Sequence, residues 1–100
     1  MSTSTKVIVV TGAATGFGRL AATLLAKAGH IVYASMRGLD GRNAAAAEEL
    51  RALAAEQDLQ LIPLELDVLS ESSVKAAAAR VIAEQGRVDV VINNAAMLMI

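Results

Sequence analysis

The stretch Lys6-Val7-Ile8-Val9-Val10-Thr11-Gly12-Ala13-Ala14-Thr15-Gly16-Phe17-Gly18 decides how this chain folds. Its first half, Lys6 to Val10, carries a continuous apolar run, Val7 to Val10, bounded by Gly12, which suits a strand buried on both faces. Beyond Gly18 the pattern changes. From Phe17 to Ala28, Leu20, Leu24 and Leu25 recur at helical spacing, and Gly29 supplies the stop. The reading is a buried strand, a glycine loop and a helix.

A helix N-terminus has unpaired backbone N–H groups and a partial positive charge, so it attracts phosphate. Glycine serves three needs there: a tight turn, close approach of phosphate oxygens to the backbone, and close packing of helix on strand. Gly12, Gly16 and Gly18 can divide those tasks. The G-x-x-x-G-x-G spacing is wider than G-x-G-x-x-G, and no Gly-Lys-Ser/Thr ending marks a triphosphate-binding P-loop. Any strand-to-helix turn recruits glycine and threonine. The position of this one, between a buried strand and a helix, favours a phosphate cradle.

Outward from the loop, the same alternation repeats. His30 to Met36 reads as a second strand, and Asp40 can cap a helix from Asn43 to Gln57. Leu59 to Leu66 gives a third strand, in which Pro63 points to a sheet edge. Ser70 is an N-cap for a helix through Val74, Ala78, Val81 and Ile82, closed by Gly86; Val88 to Ile92 is the fourth strand. The order β-α-β-α-β-α-β makes the strands parallel, because each connection is too long for a hairpin.

Composition narrows the function classes. The 100 residues are 55% hydrophobic and 19% charged, too apolar for a disordered chain. A net charge of −1 supplies no field to steer nucleic acid or an anionic membrane. With no cysteine there is no thiolate chemistry or zinc–thiolate site, and no metal site is expected. The first five residues are short and polar, without the pattern of a secretory signal or membrane span. A cytoplasmic protein fits these features.

Three further segments add to the loop. Where a dinucleotide fold often has an acid to bind the ribose 2′-OH, about 20 residues past the glycines, this chain reads Ser35-Met36-Arg37. Arg37 can pair bidentately with a 2′-phosphate, which implies NADP(H) rather than NAD(H). Asp40 as the missing acid is less simple than Asp40 as a helix cap. Asp67-Val68 follows the third strand, and the Asp67 carboxylate can accept from an adenine amino group or serve as a turn residue. Asn93-Asn94-Ala95-Ala96 follows the fourth strand; its amides can hold the loop while its small residues let a cofactor pass. Alone, Asn-Asn is an ordinary turn signal.

Together these segments resemble the short-chain dehydrogenase/reductase family. The family's T-G-x-x-x-G-x-G loop is matched from Thr11 to Gly18, its Asp-Val by Asp67 and Val68, and its Asn-Asn-Ala-Gly by Asn93, Asn94 and Ala95, with Ala96 in place of glycine. The stretch from Val32 to Arg37 also resembles the branch that includes 17β-hydroxysteroid dehydrogenases, without naming a steroid substrate. The resemblance implies an α/β fold, a Rossmann-type doubly wound parallel sheet of strand order 3-2-1-4. It implies NADP(H)-dependent interconversion of a small-molecule alcohol and carbonyl, by a parent enzyme that is a homo-oligomer. The cofactor residues carried over are Gly12, Ala14, Thr15, Gly16, Phe17, Gly18, Arg37, Asp67, Val68, Asn94 and Ala95.

The family's serine and Tyr-x-x-x-Lys pair have no counterpart here. The single tyrosine, Tyr33, has Arg37 four residues on, and strand spacing does not stack the two as a helix would. His30, just after Gly29, reads as a packed or surface loop histidine. No catalytic residue is therefore expected within residues 1–100, which read as the N-terminal part of one NADP-binding domain whose catalytic part is absent. Such a piece is expected to be inactive alone, and marginally stable or aggregating, because Val88 to Ile92 would form a bare apolar edge followed by the apolar tail Met97 to Ile100. Two alternatives stand beside the enzyme: a non-catalytic dinucleotide-sensing module, and a truncated product without function. A methyltransferase is disfavoured, since its ribose-binding acid should end strand two.

Overall fold

The computed structural model describes residues 4–94, so Ala95, Ala96 and the apolar tail from Met97 to Ile100 lie outside the described residues. The elements run β1 (Val7–Val10), α1 (Gly16–Lys27), β2 (Ile31–Met36), α2 (Ala44–Gln57), β3 (Leu61–Glu65), α3 (Glu71–Gln85) and β4 (Val90–Ile92). All strand pairs are parallel, and the sheet order is β3-β2-β1-β4, as the resemblance implied. Boundaries shift by one or two residues from the sequence reading, mostly at strand ends where pairing fades.

Register explains the two cores. Val7 lies opposite Ile31, and Val9 opposite both Tyr33 and Val91, while Ile8 and Val10 pair with Val32 and Ala34. Side chains alternate across the sheet, so one face presents Ile8, Val10, Val32, Ala34 and Met36 to α1 and α2. The other presents Val7, Val9, Tyr33 and Leu64 to α3. The continuous β-branched run of β1 is thus buried on both sides. Pro63 sits in the edge strand β3, where a missing N–H costs least.

The helices correct the sequence reading. The inner face of α1 is Gly18, Ala22 and Ala26, with Leu25 half-buried, while Leu20 and Leu24 are more than half exposed. Small residues let the helix backbone lie close to the sheet, and the leucines turn outward. On α3 only Ala77 and Val81 are buried; Val74, Ala78 and Ile82 face out. Alanine-rich helices carry apolar residues all round, so periodicity alone cannot pick the packed stripe. Asp40 does not cap α2. The cap position is Asn43, whose Nδ2 donates to the Arg37 carbonyl instead. Ser70 does cap α3, accepting from Ser73 N at 3.2 Å, and Gly86 ends it in the left-handed region.

One consequence positions the site. From β1 the chain builds outward to β2 and β3, then crosses back to place β4 on the other side of β1. Loops after β1 and β4 therefore diverge at one point on the C-terminal edge, where crevices form in open parallel sheets.

Candidate functional site

The loop after β1 is held by backbone bonds from both neighbouring strands. Thr11 N donates to Ile92 O at 3.0 Å, and Ala13 N to Ser35 O at 2.9 Å. The buried Ser35 hydroxyl returns a bond to Val10 O at 2.9 Å. Asn93 and Asn94 reach the loop as side chains: Thr11 Oγ1 donates to Asn93 Oδ1, and Asn94 Nδ2 donates to Gly12 O, each at 3.3 Å. Both strands beside β1, and the two asparagines after β4, therefore brace it.

Two glycines have left-handed backbones, Gly12 at φ 64° and Gly16 at φ 62°, which an L side chain rarely adopts. Gly18 is needed for space. A Cβ there would lie 2.3 Å from Gly12 O and 2.9 Å from Asn94 Nδ2. The first turn of α1 has no side-chain cap from Thr15 and no acidic residue. Its N–H groups are thus left for an outside acceptor, and its end of the helix dipole is uncompensated.

A cleft of about 640 Å³ opens beside this loop, over the ends of β2 and β3. It brings together Gly12, Ala14, Thr15, Arg37, Asp67 and Val68, all named from the sequence. Gly16, Phe17, Gly18 and Asn94 are not on its wall; Gly18 is buried beneath the loop against Asn94, and Phe17 is 71% exposed at the start of α1. Ala95 lies outside the described residues. The Asp67 carboxylate accepts from Leu69 N at 3.0 Å, so it shapes its own turn while facing the cleft.

The wall also contains residues that the sequence did not assign to the site: Met36, Arg42, Asn43, Leu66 and Leu69. The turn between β2 and α2 puts Arg42 and Asn43 there, with Gly41 N and Asn43 N both donating to Gly38 O. Glu65, the last residue of β3, fixes the same turn by accepting from Gly38 N at 3.1 Å and Leu39 N at 2.9 Å. The only available signal was a second arginine five positions after Arg37. Its placement depends on a turn that spacing does not reveal.

Other titratable groups serve the scaffold. His30 Nδ1 accepts from Lys6 N at 3.1 Å, which makes it a loop-packing residue. Tyr33 is fully buried on the α3 side and donates to Glu84 Oε1 at 2.6 Å. Burial, and then the Glu84 bond, raise its pKa. Among the described residues no cluster of His, Cys, Asp and Glu could hold a metal, and no helix is long and apolar enough to cross a membrane.

Residues 6–100 match the family model described as short chain dehydrogenase. Among curated proteins, the chain is 37% identical over 92 residues to 3-ketodihydrosphingosine reductase of Bacteroides thetaiotaomicron, covering 92% of this chain and 29% of that protein. It is 39% identical over 95 residues to mouse retinol dehydrogenase 12, covering 94% and 29%. Among solved structures, a putative short-chain dehydrogenase/reductase from Burkholderia xenovorans superposes with TM-score 0.80 at 30% identity, over 93% of this chain and 37% of that one. A variant of actinorhodin polyketide ketoreductase with NADPH gives TM-score 0.77 at 30% identity, over 90% and 33%. The chain spans less than a third of the length of these two curated relatives.

Proposed function

Since this chain belongs to the short-chain dehydrogenase/reductase family, we propose that it holds NADP(H) for an oxidoreductase that interconverts an alcohol and a carbonyl. Its relatives are named as reductases and dehydrogenases, and the family binds a nicotinamide dinucleotide. The observation that carries the choice of NADP(H) is Arg37, on the cleft wall at the end of β2, where an acid would select the ribose 2′-OH. The residues fit such a group. The uncapped end of α1 and the loop around Gly12, Ala14, Thr15, Gly16 and Phe17 offer N–H groups to the pyrophosphate. Gly18 keeps helix and loop close, and Asn94 braces them. Asp67 and Val68 take the adenine end, and Ala95, outside the described residues, is assigned to the cofactor by the resemblance alone.

Bound there, the cofactor would supply or accept a hydride. This chain's residues bind and orient it. The proton-transfer step is not theirs, for Tyr33 is buried with its hydroxyl engaged by Glu84 and Gln85. The whole protein is read as a cytoplasmic homo-oligomer whose serine, tyrosine and lysine come from sequence outside residues 1–100, leaving these residues inactive alone. The test is titration with NADPH and NADH. NADPH should bind more tightly, and Arg37→Ala should weaken it by about 1.5–3 kcal/mol, the scale of a hydrogen bond to a charged group, with NADH little changed. Equal losses for both cofactors would refute the assignment.

A further inference from the structure

We propose that Arg42 is a second ligand for the cofactor's 2′-phosphate, forming with Arg37 a two-guanidinium clamp on one wall of the cleft. This rests on the NADP(H) reading above and adds a specificity residue to it. Both arginines line the cleft. Of the six arginines, Arg19, Arg51, Arg80 and Arg87 each pair with a carboxylate. The two without an ion pair among the described residues are the two on this wall.

The nearby acid does not neutralise them. Glu65 directs its two oxygens to Gly38 N and Leu39 N, at 3.1 and 2.9 Å. Those two amides are thereby withdrawn from any incoming anion, and the phosphate must be met by side chains. The turn is built to carry them. Asn43 Nδ2 donates to Arg37 O, and Asn43 N to Gly38 O, so the backbones bearing both arginines are cross-braced. Gly38, at φ 67°, has no Cβ, and the position one would take lies 2.9 Å from Arg42 Cγ. The Arg42 stem fills that space, against the residue that follows Arg37.

The charge balance gives the arrangement its meaning. A phosphate monoester carries roughly −1.5 to −2 at neutral pH, more than one guanidinium offsets. Two guanidiniums without carboxylate partners on one wall can together offset that charge. NADH, with a 2′-hydroxyl, gains nothing from the second.

The test is calorimetric titration of the full chain and its variants with NADPH and NADH. Arg42→Ala should lower NADPH affinity about three- to tenfold, in keeping with an exposed charge-assisted contact, and leave NADH affinity unchanged. Arg42→Gln, which retains most of the stem against Gly38, should lose as much, since the charge is what matters. Wild-type protein that does not prefer NADPH overturns the NADP(H) reading and this inference with it. A wild-type preference that Arg37→Ala removes and Arg42→Ala preserves overturns only the role of Arg42. So does an equal loss of both cofactors in Arg42→Ala, which would mark a purely structural residue.

Discussion

Gly18 has no room for a side chain. A methyl carbon there would lie 2.3 Å from the Gly12 carbonyl oxygen, a backbone atom held in turn by Asn94. Gly18→Ala must therefore push α1 away from the turn, at about 1–3 kcal/mol. Gly16 poses a different problem, for a Cβ there meets nothing within 4 Å but its φ is 62°. Gly16→Ala should cost only about 1 kcal/mol, through backbone strain. Thermal melts should rank Gly18→Ala below Gly16→Ala, and NADPH titration should show the larger loss for Gly18→Ala. The reverse order would mean that conformation rather than close packing governs the loop. Sequence spacing marked both glycines, but the distinction between them is a matter of distance to a carbonyl in three dimensions.

At the scale of elements, α3 is fastened to the sheet by a polar cluster around a residue of β2. Tyr33 donates to Glu84, accepts from Gln85 Nε2 at 3.1 Å, and lies under the Arg80 guanidinium at 5.9 Å from the ring centroid. Tyr33→Phe keeps the ring and removes both bonds. It should lower the melting temperature by about 4–8 °C, the shift that about 1 kcal/mol produces in a domain of this size, without moving cofactor affinity. An unchanged melt would show that water replaces the cluster at no cost. Two carboxylates, Glu84 of this cluster and Asp89 just before β4, shape the acid limb. The Tyr33 hydroxyl, and then Arg80, hold the Glu84 carboxyl below its ordinary pKa. The Val7 N–H at 2.8 Å, and then Arg87, hold Asp89 below its own. A lowered folded pKa gives stability that is present above the unfolded value of about 4 and lost as pH falls through the folded one. Glu84→Gln should therefore flatten the fall in stability below about pH 4. A parallel fall in wild type and variant would exclude Glu84 as a source of the acid limb.

At the scale of the molecule, the two edge strands of the sheet, β3 and β4, differ in what they contact. β3 lies beside α2 and α3, but β4 presents Val90 and Val91 at 39% and 60% exposure, and among the described residues no strand pairs with its outer side. An apolar edge of this kind is a template for another strand. Concentration-dependent association by light scattering is the expected outcome, and Val91→Lys should reduce it. A wild-type chain that stays monomeric at all concentrations would show that this edge does not drive association.

The sequence by itself determined the parallel α/β class, the run of seven elements and the position of the glycine loop. These depend on local facts: β-branched runs of strand length, alanine-rich stretches of helical length, and glycine or proline at their ends. It also supplied, through the resemblance, the strand order and most residues now found along the cleft. Tertiary structure alone decided which helix faces pack. Leu20 and Leu24 had the expected period, yet Gly18, Ala22 and Ala26 lie inward because only small residues let α1 approach the sheet. It also decided what Asp40, Tyr33 and Arg42 do. The first does not cap α2, the second anchors α3, and the third shares a wall with Arg37. Each of those outcomes depends on partners far apart in the chain or on the hand of a turn, and neither is encoded in spacing along a strand or helix.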